Sequence, residues 1–184
     1  MKYRVCNVCV MDTTDSRITF DQNGQCNNCK NFLNIIKPTW DLDVKNNKKF
    51  HQLIEQIKIK GKNSKYDCVI GLSGGLDSSY LLHVAVKNYG LRPLVFHVDG
   101  GWNTEAAVRN INSLVSGLDL ELMTDVINWK EMRDLQLSFF KSGVPHIDLP
   151  QDHAFIASLY KFATQNNIKF ILNGSNYSTE GIRN

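Results

Sequence analysis

The segment Ser73-Gly74-Gly75-Leu76-Asp77-Ser78-Ser79 constrains the fold of this chain more than any other. It follows the apolar run Asp67–Leu72, which predicts a short buried strand. It precedes a helix predicted over Asp77–Tyr89, with Leu81, Leu82, Ala85, Val86 and Tyr89 inward and Gly90 as its stop. A helix N-terminus offers unpaired N–H groups and the positive end of the helix dipole. Two glycines keep side chains away from that backbone, and Ser73, Ser78 and Ser79 add hydroxyl donors. The segment is therefore expected to hold phosphate or pyrophosphate. It lacks the Gly-Lys-Ser/Thr of a Walker A loop and the G-x-G-x-x-G of a dinucleotide fingerprint.

The rest of the chain places this loop in an alternating pattern. Strands are predicted over Leu94–Val98, Leu120–Met123 and Phe170–Leu172, with helices over Thr104–Ser116, 130–141 and 152–166 between them. Alternation of this kind predicts an α/β fold with a parallel sheet. Phe50, Leu53, Ile54 and Ile57 recur at helical spacing, so a further helix is expected over roughly 43–60. His51, His83, His97 and His146 are expected to be structural or solvated.

The first 36 residues differ in character from the remainder. Cys6-Asn7-Val8-Cys9 and Cys26-Asn27-Asn28-Cys29 are two C-x-x-C pairs with 16 residues between them, joined by an expected hairpin with Ile18–Phe20 as a strand and Asp21–Gly24 as the turn. That spacing predicts a zinc ribbon, with Cys6, Cys9, Cys26 and Cys29 as tetrahedral ligands of a structural ion. Such a staple supports a segment too small for its own core. The remaining cysteine, Cys68, is read as a small buried hydrophobe. The expected organisation is a zinc-ribbon-like segment of four cysteines over 1–36, a helical linker over 37–62 and a nucleotide-binding domain over 63–184.

A net charge of +3 gives no reason to expect a nucleic-acid partner. The apolar runs are too short to span a membrane, and the N-terminus has no apolar signal core, so a cytoplasmic location without membrane association is expected.

The run Ser73, Gly74, Gly75, Asp77, Ser78 resembles the S-G-G-x-D-S signature of the pyrophosphate-loop ATPases. The resemblance implies an adenine-nucleotide alpha-hydrolase-like, Rossmann-like sheet with strand order like 3-2-1-4, and cleavage of ATP to AMP and pyrophosphate. By that analogy Asp77 lies near the phosphates and magnesium, and Asp77 and Ser78 are the catalytic candidates. Ser73, Gly74, Gly75, Asp77, Ser78 and Ser79 would bind nucleotide, together with Asp99 at the end of the second strand and Asn173, Gly174 and Ser175 at the end of the fourth. A carboxylate beside phosphates requires a divalent cation between them.

From Cys6-Asn7-Val8-Cys9-Val10-Met11-Asp12 through Ser73–Ser79, Asp99-Gly100-Gly101-Trp102-Asn103, Asp152-His153-Ala154 and Asn173-Gly174-Ser175-Asn176, the chain resembles the N-acetyl sugar amidotransferases of bacterial surface-polysaccharide (lipopolysaccharide O-antigen) biosynthesis. That resemblance implies conversion of the acetamido group of a nucleotide-activated N-acetyl sugar to an acetamidino group. Trp102, Asp152, His153 and Asn176 become the candidates for substrate contact. Trp102 stacks on a base or sugar, or packs; Asp152 and His153 line the cleft, or sit at a helix start as an acidic N-terminal residue and a surface histidine.

The resemblance implies that ammonia comes from a partner glutaminase, and this chain shows no glutaminase signature of its own: no cysteine stands at position 2 and four cysteines are assigned to metal. Members of that family are longer, so the nucleotide-binding domain is expected to be truncated at its C-terminus. Two rival readings remain: a pyrophosphate-loop tRNA thiolation enzyme, which would want a basic RNA face, and a non-catalytic nucleotide-binding scaffold.

Overall fold

The computed structural model describes residues 2–39 and 47–175. The chain divides into two compact units, Met1–His51 and Gln52–Asn184.

The first unit is built around sulfur rather than around a sheet. Two isolated antiparallel bridges, Val5 with Asp12 and Phe20 with Cys26, bring its extended segments together. The expected strand over Ile18–Phe20 is reduced to the second of these. The expected turn is present: Asp21 Oδ1 accepts from the Asn23 and Gln25 amides at 2.9 Å each, and the Gly24 amide donates to Asp21 O at 3.1 Å. Helix α1 (Asn27–Asn31) starts at Cys26, whose sulfur accepts from the Cys29 amide. A π-helical turn (Phe32–Ile36) and a short α2 (Lys37–Thr39) continue it. Cys6, Ile18, Cys26 and Cys29 form the buried cluster, with Met11 and Phe20 against it.

Helix α3 (Lys48–Gly61) carries the boundary between the units. It buries Ile54 and Ile57, and residues 43–46 of the expected helix lie outside the described residues. The second unit is the alternating α/β pattern: β1 (Cys68–Gly71), α4 (Leu76–Lys87), β2 (Pro93–Asp99), α5 (Glu105–Gly117), β3 (Leu122–Val126), α6 (Trp129–Ser142), α7 (Leu149–Gln165) and β4 (Ile171–Leu172). The four strands are parallel in the order β3-β2-β1-β4. This is the order the resemblance implied, with the strand order reversing between β1 and β4.

The central strands read as continuous apolar runs because both faces are covered. Val69 pairs with Leu94 in register and, with Phe96, packs on Leu159 and Ala163 of α7. Ile70 and Val95, one step further along, point to the other face and are fully buried. Phe96 also stacks on Phe162 at 4.7 Å between ring centroids. Helix α7 begins at Leu149 rather than at 152, because Pro150 fits a first helical turn that needs no amide donor.

The N-terminal corner of the sheet is tied by one ion pair. Buried Asp67 accepts from the Arg92 amide at 2.9 Å and from its guanidinium at 2.5 Å, and Arg92 also donates to Gly61 O and Ser64 O. Cys68 beside it is fully buried, as expected, and burial with the Asp67 charge pushes its thiol up to about 12.

Candidate nucleotide site and metal centre

The chain leaves β1 through Leu72, whose amide donates to Phe96 O at 2.9 Å, and turns at Ser73. Gly74 has φ +79°, and an added Cβ would stand 2.5 Å from the Ala107 carbonyl oxygen of α5. Asn110 of α5 donates to Gly74 O at 3.1 Å. This glycine is thus required by packing against α5 and by its left-handed backbone. Gly75 is the one that opens outward: a Cβ there would meet only the Ser73 hydroxyl, at 3.4 Å.

Gly75 is the N-cap of α4 and supplies no side-chain cap. Among the described residues, the amides of Leu76, Asp77 and Ser78 find no acceptor. Three donors therefore converge at the positive end of a helix, as an anion site needs. The hydroxyls of Ser73 and Ser78 lie 3.0 Å apart, and the Gly75 amide donates to Ser73 Oγ at 3.3 Å, so these serines brace the loop itself. Asp77 is exposed in the first turn of α4 and, among the described residues, has no ion-pair partner. A free carboxylate at that position could hold a divalent cation.

The end of β4 closes this corner. Gly174 lies so near the Asp77–Ser78 peptide that a Cβ would stand 2.9 Å from the Ser78 nitrogen. Asn173 Oδ1 accepts from the Ser175 amide at 3.2 Å. Asn176 lies outside the described residues.

A cleft of about 320 Å³ opens beside the loop at the carboxyl ends of β1, β2 and β4. Ser73 belongs to both the loop and the cleft wall. The rest of the wall is mainly apolar and comes from the end of β1, β2 and the loop after it, the first half of α7, and Asn173 after β4. Trp102 lines it with its ring edge-on to Trp129, 5.2 Å between centroids, and donates from Nε1 to Gln136 at 3.0 Å. Asp99 does not line it; its carboxylate accepts from the Gly101 amide at 2.8 Å and shapes the turn that carries Trp102.

Asp152 and His153 are exposed on α7 and outside the wall, which Gln151, Phe155 and Ile156 supply instead. Partial desolvation of the carboxyl, and then the neighbouring Asp148, raise Asp152 from its ordinary value, with His153 opposing them.

His97 takes the structural one of its two expected roles. It is buried, its Nδ1 donates to Leu72 O at 2.8 Å, and its Nε2 accepts from Asn103 at 3.0 Å. It thereby pins the exit of β1 to the loop after β2. The residues overlooked in the sequence are Gln136, Gln151 and Phe155. Gln136 carried a signal: it stands four residues after Met132 on a face that is otherwise apolar, and both are buried.

In the first unit the four expected ligands meet. The sulfurs of Cys6, Cys9, Cys26 and Cys29 all lie within 4.8 Å of one another, with Cys6 to Cys29 at 3.9 Å and Cys9 to Cys26 at 3.7 Å. Tetrahedral zinc with bonds of about 2.3 Å would place its sulfurs about 3.8 Å apart. The cluster fits that ion. Burial raises the Cys6 thiol, but the Val8, Cys26 and Cys9 amides outweigh it and hold it lowered to about 6. Burial and the neighbouring thiols push Cys29 up.

No protein-family model matches the chain. It is 26% identical over 139 residues to an uncharacterised protein of Methanocaldococcus jannaschii, covering 75% of this chain and 47% of that protein. The chain thus spans about half the length of this curated relative. Among solved structures, an ammonia-dependent NAD synthetase from Campylobacter jejuni superposes with a TM-score of 0.50 at 21% identity, over 70% of this chain and 56% of the other. An NMN synthetase from Francisella tularensis gives 0.50 at 22%, over 69% and 53%. A glutamine-dependent NAD+ synthetase from Acinetobacter baumannii, bound to ADP, gives 0.53 at 18%, over 68% and 25%. This chain therefore has the parallel α/β fold of NAD synthetase-like domains, preceded by a four-cysteine cluster able to hold zinc.

Proposed function

We propose that this chain is the ATP-cleaving part of an amidotransferase acting on a nucleotide-activated N-acetyl sugar. The observation that carries the reading is Ser73, which joins the loop of free amides to the apolar cleft. One ligand with a planar ring and a polyphosphate fits both halves, and ATP is such a ligand. The ring lies in the cleft, and the departing pyrophosphate rests on the Leu76, Asp77 and Ser78 amides. Asp77 would hold magnesium, which would neutralise the charge developing on the phosphates. Cys6, Cys9, Cys26 and Cys29 would hold a structural zinc, with no open position for chemistry.

The reaction balances in two steps. The acetamido oxygen attacks the α-phosphorus, an O–P bond forms, the bond to pyrophosphate breaks, and the amide nitrogen gives up its proton. Ammonia then attacks the activated carbon, and AMP leaves carrying the former amide oxygen. The product is an acetamidino group. The enzyme positions the reactants and stabilises phosphate charge through fixed N–H donors. Nitrogen rather than sulfur as the nucleophile is supported by the shared fold with proteins described as ammonia-dependent and glutamine-dependent NAD synthetases. Ammonia would be delivered by a partner glutaminase in the cytoplasm.

The test is a pyrophosphate-release screen across acetamido nucleotide sugars, with an ammonium salt replacing the partner. AMP and pyrophosphate formed only when both sugar and ammonium are present support the reading. Release that ignores the sugar but responds to RNA would replace it with the thiolation reading. Glutamine-dependent turnover by this chain alone would contradict the need for a partner.

A further inference from the structure

Gln136 is a buried amide in the middle of α6, 7% exposed, and it touches the cleft only through others. A carboxamide in that position is tolerated only when both its ends are bonded. One end meets Trp102 Nε1 at 3.0 Å. An indole nitrogen can only donate, so the Gln136 oxygen must face it. This leaves the Gln136 NH2 pointing at Gln151, where it donates to Oε1 at 3.4 Å. The oxygen of Gln151 is thereby engaged from behind, and its NH2 is the end left for the cleft that the residue lines. The orientation of two amides follows from one donor-only ring.

We propose that Gln136 is a positioning residue that turns Gln151 so its NH2 projects into the cleft, where it reads a ring acceptor of the bound base. Resting on the ATP reading above, the acceptor is N1 of adenine, and the base lies beside Trp102, itself held by Trp129 and Gln136. Hypoxanthine carries a hydrogen at N1, so it presents a donor to a donor and is disfavoured. The discrimination comes from the polarity of the amide rather than from the size of the cleft.

Calorimetric titration with ATP and with ITP, each with magnesium, tests this. The native chain binds ATP about three- to tenfold more tightly than ITP, the range of one net hydrogen bond. Gln136→Leu frees Gln151 to turn and brings the ratio towards one by weakening ATP, while ITP affinity holds. Gln136→Met, close in shape, does the same if the leucine variant fails to melt cooperatively. Gln151→Glu, which puts an acceptor oxygen where the NH2 was, lowers the ratio to one or below. A Gln136 variant that weakens both nucleotides equally, or keeps the native ratio, overturns the proposal. So do equal affinities in the native chain, which leave ATP binding itself standing. No heat from either nucleotide overturns the ATP reading as well, and is a distinct result.

Discussion

Gly174 rests against the peptide joining Asp77 to Ser78, so closely that a methyl group would sit 2.9 Å from the Ser78 nitrogen. The end of β4 and the first turn of α4 therefore share one surface, and the bare glycine keeps the Ser78 amide open. Gly174→Ala is expected to cover that amide and weaken MgATP binding about tenfold, the equivalent of about 1.4 kcal/mol. Calorimetry on the folded variant measures this; native affinity would show that the Ser78 amide takes no part.

Asp77 has no ion-pair partner among the described residues, so its removal breaks no salt bridge that the fold needs. Asp77→Ala should leave the melting temperature nearly unchanged while pyrophosphate release falls at least about a hundredfold, as expected when a metal-binding carboxylate next to phosphates is lost. A variant that melts early but retains its rate would assign Asp77 to structure.

The Asp67–Arg92 pair is structural. Asp67 is buried and accepts both the backbone and the side chain of Arg92, while Arg92 reaches water on one side. Asp67→Ala leaves the Arg92 amide, Nε and Nη2 each short of an acceptor and should cost about 2 kcal/mol, less than a fully buried pair because solvent screens the guanidinium. Urea unfolding followed by circular dichroism checks the figure.

Asp152 carries a pH dependence of the less common sign. Partial desolvation, then Asp148, raise its folded pKa, so its ionised form is disfavoured in the folded chain. The penalty is absent at low pH, where the carboxyl is protonated in both states, and is present once pH exceeds the folded value. Asp152→Asn should therefore raise the melting temperature slightly at about pH 7 and leave it unchanged at about pH 3. A loss of stability at about pH 7 would mean that the α7 dipole outweighs burial.

Much of this was legible in the residues. The parallel sheet comes from the alternation of apolar runs with helical faces, and the two C-x-x-C spacings mark Cys6, Cys9, Cys26 and Cys29 as one cluster; the strand order is implied by the resemblance that Ser73, Gly74, Gly75, Asp77 and Ser78 carry. What escaped depends on neighbours in space. Gly74 looked like a gap left for a ligand, yet its lack of a side chain is also demanded by Ala107, some thirty residues on. Asp152 and His153 drew attention by their chemistry, but the helical phase of α7 turns Gln151 and Phe155 to the cleft instead. Whether His97 is structural or solvated is left open by the sequence, and Leu72 and Asn103 decide for the structural role.

Nucleotide binding at the start of α4 is tested most directly by titrating the chain with MgATP and following its amides by NMR. The largest shifts are expected on Gly75, Leu76, Asp77 and Ser78, with a second group at Trp102 and Gln151. Shifts confined to other surfaces, with those amides unmoved at saturating nucleotide, would contradict that site.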